Sequence, residues 1–334
     1  MLRLFRSNHP LVSILILLII SGLHLFTFLN PQLNAVEFAN PLSHALLYLL
    51  SLSPLPLSVT ENIFSILFVF TQSIYFNYIL TKHKMNERGQ FIPAFIYAIL
   101  CCMFSDFLFL TPALVANLFL LIEIDFLFSV YKKERASSEI FDLGFFISVS
   151  SLIYFPSLAF LIFLLAGMLV LRPLRLSEWM ILLVGALIPY FLTAVYYFWF
   201  DRLTEFSSII TFHKLMNEEF SFVNNAQVIL ITFVVGLALI WSFVKIQSNY
   251  FKTVVQIRNY FVVMMLFSFL GFLSAFMQSS IQPEHFIWLI IPVAMAISYS
   301  VQFLKKYWLA EILNLSLLLL IIYFQFQNQL NFFE

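Results

Sequence analysis

Two carboxylates, Glu123 and Asp125, stand inside an apolar run at about 113–131. An acid at mid-depth in a bilayer costs roughly 2.5–3.5 kcal/mol, so each needs a partner or a water-filled cavity. Glu123 precedes Lys132 by nine residues, which puts it about 13 Å from that basic end and close to a midplane. Asp125 points about 200° away from it on a helix. It lies about 10 Å from the same end, within reach of interfacial water or the basic cluster. Glu123 suits either a hydrogen-bonded carboxyl between helices or a proton relay. His24 in the first apolar run and Asn117, just under two turns earlier on roughly the Glu123 face, are its candidate polar partners. A lone helical histidine is more simply a hydrogen-bonded one.

A second set of acids falls in segments expected on the outer face: Glu37, Asp106, Glu218, Glu219 and Glu284. A partly desolvated carboxylate at a membrane surface can have a raised pKa and serve as a general base. Asp106 fits that description, set among Phe104, Phe107 and Phe109 just before Thr111-Pro112; a structural cap or turn contact explains it equally. Glu37 is either a solvated loop acid or the base. Glu218-Glu219 and Pro283-Glu284-His285 read as solvated loop residues, with ligand contact as the alternative. Arg202 and Lys214, with His285, are the natural phosphate contacts if an anionic lipid-linked substrate docks on that face. The chain has no P-loop, no Gly-rich nucleotide fingerprint and no His/Cys spacing that would hold a metal. No cofactor is therefore expected.

The elements that must position these groups are apolar helices. Hydrophobic residues make up 62% of the 334 and charged residues 10%, against roughly 45–50% and 25% in an ordinary globular domain. Apolar runs fall at about 11–29, 58–80, 91–110, 113–131, 143–155, 157–171, 177–200, 227–246, 259–277, 285–303 and 309–326. Most have the roughly 20 residues that cross a hydrocarbon core. Run 11–29 follows Arg3 and Arg6 but is too long for a signal core and lacks a small-residue cleavage site, so it reads as a retained anchor. A net charge of zero gives no reason to expect nucleic acid as a partner. The neighbouring Cys101 and Cys102 point apart on a helix and read as buried thiols.

Basic residues orient the chain. With the N-terminus inside, 15 of the 17 Lys and Arg lie on the cytoplasmic side, leaving Arg202 and Lys214 outside. That count requires residues 143–171 to go in and come back. One straight helix there would be about 43 Å long, too long for a bilayer without steep tilt. Pro156 supplies the turn and Asp142 suits the N-cap of the first half. The expected fold class is all-α: a single integral membrane domain over 1–334, a polytopic transmembrane helix bundle. It has about nine full spans plus a short Pro-split hairpin, about 11 segments, N-terminus in and C-terminus out. An outer loop at 30–57 carries an interfacial helix near 45–52, and a second outer loop covers 201–226. Ser58-Val59-Thr60-Glu61 has capping-box spacing, which makes Glu61 a helix start.

Lys132-Lys133-Glu134-Arg135 running into Phe141-Asp142-Leu143-Gly144, then Tyr154-Phe155-Pro156, Arg172-Pro173 and Glu178-Trp179, resemble an uncharacterised family of polytopic inner-membrane proteins from Bacteroidota. More distantly, the layout resembles the GT-C-type membrane glycosyltransferases. Leu143-Gly144-Phe145 through Ser150-Ser151-Leu152 is similar to their short Gly-containing helix. His285-Phe286-Ile287-Trp288 through Ile291-Pro292-Val293-Ala294 is similar to their proline-bearing late span. That resemblance implies sugar transfer from a polyprenyl-phosphate donor on the outer face. Glu37 matches the position of the usual acid after the first span, without the charged neighbours that accompany it there. The second acid of that class falls at Thr111-Pro112, offset from Asp106.

Three function classes stay open, so enzymatic activity itself is left undecided. One is a lipid-linked glycosyltransferase or relative. The second is a non-catalytic component of a cell-envelope complex, meeting a membrane-protein partner through stripes such as Ser268, Gly271 and Ser274. The third is a transporter coupled through Glu123, for which seven glycines with no GxxxG pair give little support. All three sit in the inner membrane among lipid.

Overall fold

The computed structural model describes the chain except residues 1–3, 7–8, 30–37, 39, 87–89, 174, 205, 207–225, 275–282, 303–307 and 331–334. The described residues are helical, with no strand among them. The α-helices are α1 (Leu11–Leu23), α2 (Leu25–Leu29), α3 (Pro41–Ser51), α4 (Leu57–Lys82), α5 (Ile92–Cys101), α6 (Pro112–Ser129) and α7 (Ser137–Ile153). They continue with α8 (Phe160–Leu171), α9 (Leu176–Trp199), α10 (Ala226–Asn249), α11 (Val255–Ser274), α12 (Ile290–Gln302) and α13 (Trp308–Leu330). Short 3-10 segments at Ser105–Leu108, Phe155–Ala159 and Pro283–Leu289 join or extend them. Among the described residues six helical stretches are long and apolar enough to cross a membrane, and three apolar ones are shorter.

Local chemistry explains most boundaries. The first apolar run is broken at His24, whose ring Nδ1 turns back to the Ile20 carbonyl at 2.9 Å. Asn40 and Ser43 form a reciprocal capping box that starts α3, with Pro41 in the first turn; the interfacial helix is longer than the 45–52 expected. Thr111 caps α6 by accepting the Leu114 N–H at 3.1 Å, again with proline following. Cys101 and Cys102 are free and buried. Two expected caps are corrected. Helix α4 begins at Leu57 behind Pro56, so Glu61 is a buried residue of its second turn. Helix α7 begins at Ser137, with Ala136 at the cap position, so Asp142 lies more than a turn inside. In both cases the helix continues through polar residues that the apolar pattern treats as its limit.

Packing register gives the chain direction. Ser65, Gln72 and His83 of α4 and its end meet Leu108, Leu114 and Asp125 in rising order, so α4 and α6 are parallel with α5 returning between them. All ten residues of α5 are buried, which is how so short a helix avoids exposing its ends to lipid. The same logic applies to α7 and α9. Ser148 Oγ donates to the Ala186 carbonyl at 2.5 Å, and Ser151 Oγ meets Tyr190 OH at 2.7 Å. Gly144 lies on the Leu182 carbonyl, and Gly185 on the Phe141 carbonyl. From Gly144–Leu182 through Ser148–Ala186 to Ser151–Tyr190 the contacts rise together, with Gly185 on Phe141 marking the close crossing, so α7 and α9 are parallel and α8 runs back between them. The turn is the break at Tyr154 followed by Phe155–Ala159, which holds Pro156. Helix α11 packs antiparallel on α8, with Gly271 beside Phe160 and Val263 beside Gly167.

Helix α6 and the Pro283–Val301 stretch that runs into α12 are central, with 72% and 78% of their apolar windows buried, whereas α9 and α10 bury 22% of theirs. A methyl group at Gly185 would fall on the Phe141 carbonyl and one at Gly144 on the Leu182 carbonyl, while nothing lies within 4 Å of that position at Gly22. Gly185→Ala is expected to lower stability by about 1–3 kcal/mol through overpacking. Gly144→Ala should cost at least as much, and Gly22→Ala should leave the melt unchanged or raised. Thermal unfolding of the purified protein in one neutral detergent measures all three.

Candidate functional site

At the end of the bundle where α7 turns into α8, segments far apart in sequence converge. The Ser105–Leu108 turn packs on Pro283–Leu289, and the latter on α6 and α11. Asp106, in the first of these, is exposed and interacts electrostatically with Glu284 in the second. Loss of water around its base raises the Asp106 carboxyl above the usual carboxylate range; Phe104 and Phe107 stack edge to face beside it. Glu284 is 5% exposed and His285 fully buried, which corrects the expectation of solvated loop residues. The loop is instead wound into a 3-10 helix whose inner side faces Tyr154 and α11.

His285 has a defined proton arrangement. Ser274 Oγ spends its only hydrogen on the Gly271 carbonyl at 2.7 Å. It can therefore only accept from His285 Nε2, 3.3 Å away. That leaves Nδ1 without a proton, and Tyr154 OH donates to it at 2.8 Å. Trp288 stands edge to face on the same imidazole, with centroids 4.5 Å apart. Nearby, Asn40 Nδ2 donates to the Ile153 carbonyl at 3.1 Å and ties α3 to this corner. Asn62 Nδ2 donates to the Thr27 carbonyl at 2.8 Å and ties α2 to α4. Glu61 is buried at this end as well.

The other predicted residues are distributed differently. Glu37, Lys214, Glu218 and Glu219 lie outside the described residues. Arg202 is exposed just beyond the C-terminus of α9, its N–H on the Tyr197 carbonyl. Among the described residues no hydrogen bond or ion pair joins it to Asp106. His24 is buried and bonded within its own helix. Asn117 donates to Gln72 Oε1 at 3.0 Å and meets Tyr97 OH at 2.7 Å. Six residues amount to about 240° round a helix, so Asn117 does not share the Glu123 face as expected. Glu123 is 1% exposed, and neither carboxyl oxygen has a hydrogen-bond partner among the described residues. Asp125 reaches the basic end: Lys82 Nζ at 2.8 Å, His83 Nε2 at 2.7 Å and Tyr75 OH at 3.3 Å all converge on its carboxylate.

Sequence reasoning missed Tyr154, Ser274, Trp288 and the Lys82-His83 pair as site members, and weighed Glu284 only as one of several outer acids. His83 follows Lys82 at a helix end, a pattern that could have marked an acid's partner. Nothing local marks Tyr154 and Ser274, which meet only through tertiary packing. No group of His, Cys, Asp and Glu among the described residues could hold a metal ion.

The chain belongs to DUF6427, a family of unknown function, which it matches over residues 26–333. No curated protein and no solved structure matches it.

Because the folded state favours the protonated Asp106 carboxyl, ionisation opposes folding. That cost is absent below the unfolded pKa, grows as pH rises, and is complete above the raised folded pKa. Asp106→Asn should therefore melt at or above the wild-type temperature at neutral pH, and the advantage should shrink on acidification. Tyr154→Phe removes the donor to His285 Nδ1 and should cost about 1–3 kcal/mol. Melts across pH 4–8 (roughly the carboxylate-to-neutral range) measure both.

Proposed function

We propose that this chain is a multi-pass inner-membrane protein whose outer face carries an acid–base site, centred on Asp106 and Glu284, for transfer of a sugar from a polyprenyl-phosphate-linked donor. The observation that carries the reading is the convergence of Asp106, Glu284 and the Tyr154–His285 pair on the end opposite Lys82, Arg172 and Arg175. With the N-terminus cytoplasmic, the positive-inside rule assigns the basic end to the cytoplasm and the acidic end to the outer face. The hairpin of α7 and α8 is what lets both assignments hold together.

In this reading Asp106 is the base, exposed enough to meet an acceptor hydroxyl and desolvated enough to hold a proton. Glu284 beside it disfavours double ionisation. Glu37, next to α3 in sequence, and the cations Arg202 and Lys214 are the further contacts this chemistry would use, the cations on phosphate. Lipid surrounds α9 and α10, and the donor's polyprenyl chain would reach the site along such an apolar surface.

A second reading, a non-catalytic envelope component, draws on the broad apolar faces of α9, among them Leu187, Phe191 and Trp199. A membrane partner covering that face would co-purify at fixed stoichiometry. Coupled transport receives less support, since the Glu123 carboxyl makes no hydrogen bond among the described residues.

Two measurements test the first reading. Single cysteines placed at Arg175 and at Ser105 should be labelled by an impermeant reagent from opposite sides of inner-membrane vesicles. Purified protein in vesicles should transfer label from a panel of polyprenyl-phosphate-linked monosaccharides. Asp106→Asn and Glu284→Gln should each cut transfer by about 100-fold or more with folding intact, and wild-type transfer should fall as pH drops through the Asp106 pKa. Same-side labelling, or full transfer by both variants, would refute the proposal.

A further inference from the structure

At the opposite end of α9 the geometry points to a binding site for the phosphate of an anionic phospholipid, formed by Arg172, Arg175 and the first turn of α9. Arg172 is the residue on which this rests. It ends α8 in an extended conformation (φ −142°, ψ 155°), and its side chain is only 6% exposed. Nη2 bonds Glu178 Oε1 at 3.0 Å, which brings the guanidinium against the first turn of α9. The other terminal nitrogen, Nη1, is buried with no hydrogen-bond partner among the described residues. A buried guanidinium donor left unmade is costly, and the usual resolution is an acceptor oxygen supplied from outside.

The surroundings say what that acceptor is. Arg175 occupies the N-cap position of α9. It is 59% exposed and 3.7 Å from the same Glu178 oxygen, so one carboxylate faces two guanidinium groups and the corner keeps a net positive charge. The first intrahelical bonds of α9 begin with Glu178 N–H to the Arg175 carbonyl. The Leu176 and Ser177 amides therefore precede the hydrogen-bonded turn, at the positive end of a 24-residue helix. Helix α7, parallel to α9 and starting at Ser137, adds a second N-terminus at the same end.

Depth and neighbouring surface select a lipid over a soluble anion. Helix α9 is about 36 Å long, enough to span the hydrocarbon and leave Arg175 at headgroup level. Along one side of α9 from its first residue, Leu176 is 72% exposed, Met180 60%, Val184 48% and Leu187 65%, an apolar track on which an acyl chain can lie. Trp179, half-buried at the same level, suits the interface.

The test uses the full-length protein in a neutral detergent. It is titrated with phosphatidylglycerol, with phosphatidylcholine of matched chains, and with inorganic phosphate, and the unfolding temperature is followed. Phosphatidylglycerol should raise it saturably, with phosphatidylcholine and inorganic phosphate giving less than a third of that shift. Arg172→Gln should remove at least half of the phosphatidylglycerol shift, and Arg175→Gln part of it. Because Arg172→Gln leaves Glu178 without its partner, Arg172→Gln/Glu178→Gln is measured too, and it should also lose the shift. Arg202→Gln, beyond the other end of α9, should keep it. An equal shift from inorganic phosphate would overturn the lipid assignment. Equal shifts from both lipids, or a full shift in the double variant, would overturn the site.

Discussion

Two glycines against two carbonyls hold the arrangement of this protein. Gly144 of α7 rests on the Leu182 carbonyl and Gly185 of α9 on the Phe141 carbonyl, so the two backbones approach as closely as the missing Cβ atoms permit. Ser148 and Ser151 extend the same seam with hydrogen bonds to Ala186 and Tyr190. A seam of that kind accepts one register and one relative direction. Parallel α7 and α9 require α8 to travel the other way, with Gly167 against Leu127 of α6, and that return leaves Arg172 on the end of the bundle that holds Lys82 and Asp125 rather than on the Asp106 end. The segregation of basic from acidic groups therefore depends on backbone contact as much as on charge.

Polar groups within the bundle are handled in two ways. Most are satisfied locally: Gln72 donates to the Leu114 carbonyl, Tyr260 to the Phe128 carbonyl, and Asp125 is surrounded by three donors. Burying these side chains is tolerable because each replaces water with a fixed partner. Atoms without such a partner among the described residues include Glu123 Oε1 and Oε2, His24 Nε2, Asn117 Oδ1, Ser157 Oγ, Trp288 Nε1 and Arg172 Nη1. The exceptions are not gathered in one place. Arg172 and Trp288 stand near opposite ends of the bundle, while Glu123 is deep in α6.

Much of the architecture was readable from patterning. Apolar runs located nearly every helix, because a lipid-facing segment cannot hide its composition. The proline at 156 and the basic pairs flanking 137–171 indicated a returning hairpin, and Asp125 was within reach of a basic end, although the bases it meets there are Lys82 and His83. Errors came where polar residues continue a helix, as at Ser137–Asp142 and Ser58–Glu61, since hydropathy marks the membrane and not the helix end. Glu284 and His285 were misjudged for a related reason. Two polar residues after a proline look like loop, yet burial against Tyr154 and Ser274 depends on segments more than 100 positions away in one case and 11 in the other.

Composition, length and the side preference of lysine and arginine were sufficient for the class of protein, its helical content and the expected two-ended charge distribution. These are properties of transfer between water and hydrocarbon, which each segment obeys nearly independently of the others. Which acid meets which base is a different matter. Asp106 beside Glu284, the proton on His285 Nε2, and Arg172 turned inward on Glu178 all arise from helix register. Register is set by close packing between segments distant in the chain, and no segment carries that information alone.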